Sequence, residues 1–109
     1  MTPQLNTDAP LDLAAAIDYL DDKRNGRVLL KDDMVTLMLF ALRAGQDIPE
    51  HSVPRTAFLQ CLEGAVAVQI AEVKHHLKAG QLLRLPAEIP HAVRALSDAR
   101  LLLTRQTGA

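Results

Sequence analysis

Four histidines and a single cysteine are the side chains of this 109-residue sequence best equipped to ligate, to move protons or to attack. His51 and His91 each follow a proline-containing stretch, Ile48-Pro49-Glu50 and Pro86-Ala87-Glu88-Ile89-Pro90. An imidazole in such a place can hydrogen-bond a carbonyl or hydroxyl, ligate a metal or, because it titrates near neutral pH, face an anion in its protonated form. Taken singly, each is explained as well by a residue that starts or ends a strand. His75 and His76 are adjacent, so in regular β structure they point to opposite faces and cannot chelate one ion. His75 shares parity with Leu77 and is expected to be the more buried of the two. Cys61 lies in an apolar run with no histidine near it in sequence, which suits a small core side chain better than a nucleophile. Arg55 and Arg94 stand near the two isolated histidines, although solvation at the surface is the commoner fate of such residues.

Residues of this kind need elements to aim them. Short apolar segments recur between turn residues over 27–30, 35–42, 57–62, 65–70, 73–77, 81–85, 91–95 and 100–104. Several alternate: Val66, Val68 and Ile70 fall on one face of a strand and Ala65, Ala67 and Gln69 on the other. No helical segment recurs between them, so a parallel α/β fold lacks its crossovers and an antiparallel sandwich or barrel is expected. Ahead of the strands, Leu13, Ile17 and Leu20 have helical spacing, with Asp8 as a cap and Pro10 in the first turn, which predicts one short helix packed on the domain. Asn25-Gly26 reads as a turn. Residues 1–26 are therefore expected to form a tail and short helix, and 27–109 the strand domain. The link after Ile70, Ala71-Glu72-Val73, has none of the residues that a tight hairpin turn prefers.

Composition sets the outer limits. Hydrophobic residues make up 49% and aromatics only 3%, so the core must be aliphatic. A net charge of −1, with no stripe of Lys and Arg, argues against nucleic-acid binding. The longest apolar run, 34–42, is too short for a membrane span, and no signal-peptide pattern opens the chain. One cysteine excludes an internal disulfide and a cysteine-rich zinc site, and a cytoplasmic location is the default.

The glycines place the two histidines in a pattern. Gly45 is followed by five residues and then His51, and Gly64 closes that block. Gly80 is followed by five residues and then Pro86, with His91 beyond it. These blocks resemble the two motifs of the cupin superfamily, and with the flanking strands the resemblance covers residues 27–104. It implies an all-β double-stranded β-helix, a jelly-roll barrel, with His51 and His91 projecting into its mouth. Small cupins of this kind are commonly homodimers. The family's metal site uses three histidines and a glutamate, but Val53 stands at the second histidine and Ala57 at the glutamate. Glu88 stands where the second motif has a glycine, and Gln81 where many relatives carry an acid.

Two imidazoles fall short of the three protein ligands that a catalytic metal usually has. Glu50 adjoins His51 and should point to the opposite face. Cys61 lies about 13 Å along an extended strand from Ala57, too far to replace it. Glu88, in the turn before His91, is the remaining carboxylate within reach by sequence. Three functions stay open. The first is a small-molecule binding protein whose cavity is lined by His51, His91, Val53 and Ala57. The second is a metalloenzyme of dioxygenase or isomerase type, with His51 and His91 holding a divalent ion (Fe, Ni, Mn or Zn). The third is a non-catalytic sensor or oligomerisation module.

Overall fold

The computed structural model describes residues 5–107; residues 1–4 of the polar leader and the last two residues lie outside the described part. Nine strands follow one another: β1 Asn25–Lys31, β2 Val35–Leu42, β3 Asp47–His51, β4 Ala57–Glu63, β5 Ala65–Ile70, β6 Val73–Lys78, β7 Leu82–Leu85, β8 His91–Ala95 and β9 Ala99–Gln106. They form a five-stranded sheet, β1-β2-β9-β4-β7, facing a four-stranded sheet, β3-β8-β5-β6. All pairings are antiparallel. This is the antiparallel architecture that the alternation predicts and the jelly-roll barrel that the resemblance implies.

Period-2 patterning builds the core between the sheets. Ala57, Leu59 and Cys61 of β4 are buried while Phe58 is exposed, and Val66 and Val68 of β5 are buried while Gln69 is exposed. Each fully buried Leu or Val contributes about 1.5–3 kcal/mol, and the cluster is aliphatic, with Leu42, Leu85, Val93 and Leu101 around Cys61. Gly64 turns β4 into β5 at φ 74°, and a Cβ there would lie 2.0 Å from the Asp98 carbonyl oxygen. Only glycine fits that approach.

The opposite face of the five-stranded sheet has its own smaller core. The expected N-terminal helix is a single 3-10 turn, Leu13–Ala15, and Asp12 rather than Asp8 occupies its N-cap position. Behind it, Ala16 and Ile17 are buried against Leu39 and Ala41 of β2. Four side chains strap this segment down, among them Asn25, whose Nδ2 donates to the Asp18 carbonyl at 3.0 Å. Arg27 Nη1 donates to the Ala16 carbonyl at 2.7 Å, Arg100 Nε to that of Ile17 at 3.0 Å, and Gln46 Nε2 to that of Leu20 at 3.0 Å. No helix among the described residues is long and apolar enough to cross a membrane.

Three local expectations change. Asn25-Gly26 is not a turn but the start of β1, paired with Ala41 and Phe40. Glycine suits position 26 because a Cβ would press on the Met38 Cε at 3.2 Å and the Phe40 ring at 3.3 Å. The Ala71-Glu72 link is a two-residue hairpin between the paired Ile70 and Val73. Ala71 takes φ 53°, and its N–H donates to the Pro90 carbonyl at 2.9 Å. Finally, β3 has no counterpart in the strand pattern of the sequence, because Pro49 breaks it. Proline is tolerated there because β3 is an edge strand, paired only with β8.

Candidate functional site

His51 ends β3, His91 starts β8, and the two are paired across those strands. Their rings meet edge to face, with centroids 4.5 Å apart at 62°. The register slips between Ile48 and His51. This irregularity puts both Ile48 and His51, three residues apart, against the same interior cavity, which regular alternation would not do. His91 is buried at 4% exposure and His51 is exposed, so His91 sits inside and His51 at the rim.

The turn ahead of His91 is tied down by backbone. Glu88 N–H donates to the Val53 carbonyl at 2.8 Å, and Glu88 takes φ 68°. That conformation explains the glycine of the resembling motif at this position; here a glutamate bears it. The Glu88 side chain is exposed and does not line the cavity.

Both imidazoles use Nδ1 toward a carbonyl two residues back: His51 to Pro49 at 2.9 Å and His91 to Ile89 at 3.4 Å. A carbonyl only accepts, so in the neutral ring Nδ1 carries the proton and Nε2 is left as the acceptor. Burial pushes the His91 pKa below its ordinary value, the His51 imidazole pushes it further, and the Ile89 carbonyl opposes both. His91 is thus neutral at physiological pH, an acceptor inside a largely apolar chamber.

The cavity measures about 110 Å³. Its walls are Met38, Phe40, Leu59 and Leu103 from one sheet and Ile48 and Val93 from the other, with His51, His91 and Arg105 as its polar members. Of the four residues that the sequence nominates, His51 and His91 are thus brought together on the cavity. Val53 is half-buried and engaged through its carbonyl, and Ala57 is packed in the core; neither is among the lining residues. Cys61 is fully buried, its Sγ directed at the carbonyls of Glu63 and Gly64. His75 is half-buried and His76 exposed.

Arg105 is the residue that the sequence pattern did not single out. It follows Leu101 and Leu103 on the inward-facing parity of β9, and that alternation was the signal available. It also lines a shallower depression of about 200 Å³ outside the cavity, with Lys31, Pro54, Arg55, Gln106 and Thr107.

The donors do not fit a resident metal. No cluster of three His, Cys, Asp or Glu residues that could hold an ion exists among the described residues. The positions that would complete the set carry Val53 and Ala57, neither of which has a donor atom in its side chain.

A family model described as a cupin domain matches residues 38–104. The crystal structure of a conserved protein of unknown function from Streptococcus pyogenes is 27% identical, covers 99% of this chain and 95% of its own, and superposes with a TM-score of 0.88. A Thermus thermophilus protein is also 27% identical, over 92% of this chain and 98% of its own, with a TM-score of 0.83. A cupin superfamily protein from Desulfitobacterium hafniense, 21% identical over 98% of both chains, shares the fold with a TM-score of 0.88. No curated protein matches the chain.

Proposed function

The chain belongs to the cupin family, and from that premise we propose that it binds a small organic molecule in the cavity between its sheets, with His51 and His91 as the polar anchors. The observation that carries this reading is the side-by-side placement of the two imidazoles on one apolar cavity, each with Nδ1 turned to a backbone carbonyl. Apolar walls with a few convergent polar groups are the usual form of a ligand site. The Nε2 atoms suit a ligand hydroxyl, which can donate to them. An apolar cavity of about 150 Å³ takes a benzene ring. On that scale this cavity takes a ligand body of about four or five non-hydrogen atoms, with room for more at the open mouth. The donor set does not support a metal-dependent reaction, and none is assigned.

A thermal-shift screen of short-chain alcohols and hydroxy acids tests the reading, repeated on His91→Gln and on Ile48→Trp, which fills the cavity. Compounds that raise Tm in the unsubstituted chain should lose their effect in both variants. Shifts that survive Ile48→Trp would place binding elsewhere and end the proposal.

A further inference from the structure

We propose that Arg105 reads a carboxylate at the mouth of the cavity, so that the ligand class is a short-chain hydroxy acid. This rests on the cavity being a ligand site at all, and goes further by naming what that site selects.

Five observations carry it. Arg105 belongs to two concavities at once, the apolar cavity and the outer depression, and so forms their shared wall. It is half-buried. Among the described residues it makes no hydrogen bond and no ion pair, whereas Arg43 and Arg100 are each matched with carboxylates. Its cross-strand neighbours cannot answer it. Ala57 on β4 is an alanine at the position where the resembling motif has glutamate. Thr36 on β2 shares its hydroxyl with Thr107 at 2.7 Å. Among the described residues no Asp or Glu lines either concavity, while Lys31 and Arg55 stand in the outer one.

A half-buried guanidinium gains most from a partner that meets its planar fork with two oxygens, and a carboxylate does so. With the acid group on Arg105, a chain of a few carbons reaches along Met38, Phe40 and Leu103 toward the imidazoles, where a hydroxyl finds Nε2 acceptors. Inorganic phosphate shares the charge but has no apolar body for the cavity.

Calorimetric titration of the full chain with 3-hydroxybutyrate, its neutral amide and inorganic phosphate tests this. The acid should bind about ten- to a hundredfold more tightly than the amide, the range for one charge-assisted contact. Arg105→Met should bring the acid down to the level of the amide. The acid-to-amide ratio in the unsubstituted chain tests the same point without relying on a variant. Equal binding of acid and amide, both lost in Ile48→Trp, would overturn the carboxylate assignment and leave the cavity reading standing. Binding by neither would overturn both. Phosphate binding as tightly as the acid would overturn the organic-acid class.

Discussion

The two arginines of β9 lie five residues apart and on opposite faces of the same sheet, and their surroundings differ in kind. Arg100, on the outer face, ion-pairs with Glu63, donates to the Ile17 carbonyl and lies over the Tyr19 ring at 4.2 Å. Tyr19 in turn donates to Glu63 and has Arg43 over it at 4.8 Å, and Arg43 pairs with Asp21 and Asp98. Burial and the Glu63 carboxylate push the Tyr19 hydroxyl up to about 12. Every charge in that cluster has a partner, and the partners hold residues 16–21 on the sheet. Arg105, on the inner face, has the cavity beside it and no partner among the described residues. A saturated polar cluster fastens one piece of chain to another. An unsaturated one, beside an apolar hollow, is left with capacity for something else.

The largest effect should come from exchanging the two arginines' roles. Arg100→Met removes the Glu63 pair, the Ile17 bond and the Tyr19 stacking together, and should cost about 2–3 kcal/mol in chemical denaturation. Its effect on 3-hydroxybutyrate binding should be negligible. Arg105→Met should do the reverse, leaving the unfolding midpoint in place while binding weakens. If Arg105→Met destabilised the fold as much as Arg100→Met, the distinction between fastening and reading would collapse.

How much of this contrast the sequence holds can be judged residue by residue. The meeting of His51 with His91 is legible through the family resemblance that the glycine-to-histidine spacings carry, which implies that both project into the mouth of the barrel. Gly64 is legible too, since its positive φ and the closeness of the Asp98 carbonyl admit no other residue. The misreading of Asn25-Gly26 has a packing cause: glycine there makes room for Met38 and Phe40 rather than turning the chain. β3 is hidden because Pro49 and the irregularity between Ile48 and His51 destroy the alternation that marks a strand. Arg105 is missed for a simpler reason. A last strand ended at Thr104 stops one residue short of the alternation Leu101, Leu103, Arg105, whereas β9 continues to Gln106. The outer cluster joins Tyr19, Arg43, Glu63, Asp98 and Arg100 from four separate stretches, and no local pattern announces such a meeting.

Acid titration separates the two faces by window. His91 has a pKa below its ordinary 6.5, so the unfolded chain binds its proton more readily. Stability is therefore fully present above pH 6.5 and declines as pH falls below it. Glu63 is held below its ordinary 4.5, first by the Tyr19 hydroxyl and also by Arg100. The stability it confers is present above pH 4.5 and is lost as pH falls further. Denaturation midpoints should then drop in two stages on acidification. His91→Gln should remove the upper stage, and Glu63→Gln should shrink the lower, which Asp98 and Asp32 share because backbone N–H groups, and Arg43 at Asp98, hold them below their ordinary values too. An upper stage that persists in His91→Gln would detach it from the cavity.

The smallest effect belongs to the backbone, and it has the opposite sign. Glu88 adopts φ 68° in the turn that delivers His91, a conformation that a residue with a Cβ resists. Glu88→Gly should therefore stabilise the protein, by about 0.5–1 kcal/mol after the greater freedom of glycine in the unfolded chain is counted. Glu88→Ala serves as control, since it removes the charge and keeps the strain; it should leave stability near that of the unsubstituted chain. The backbone bond from residue 88 to the Val53 carbonyl needs no side chain, so His91 should stay in place in both variants. If Glu88→Ala gained as much as Glu88→Gly, the exposed charge rather than the left-handed backbone would be the source. If neither gained, the turn on the cavity side would carry no more strain than the strap on the other face.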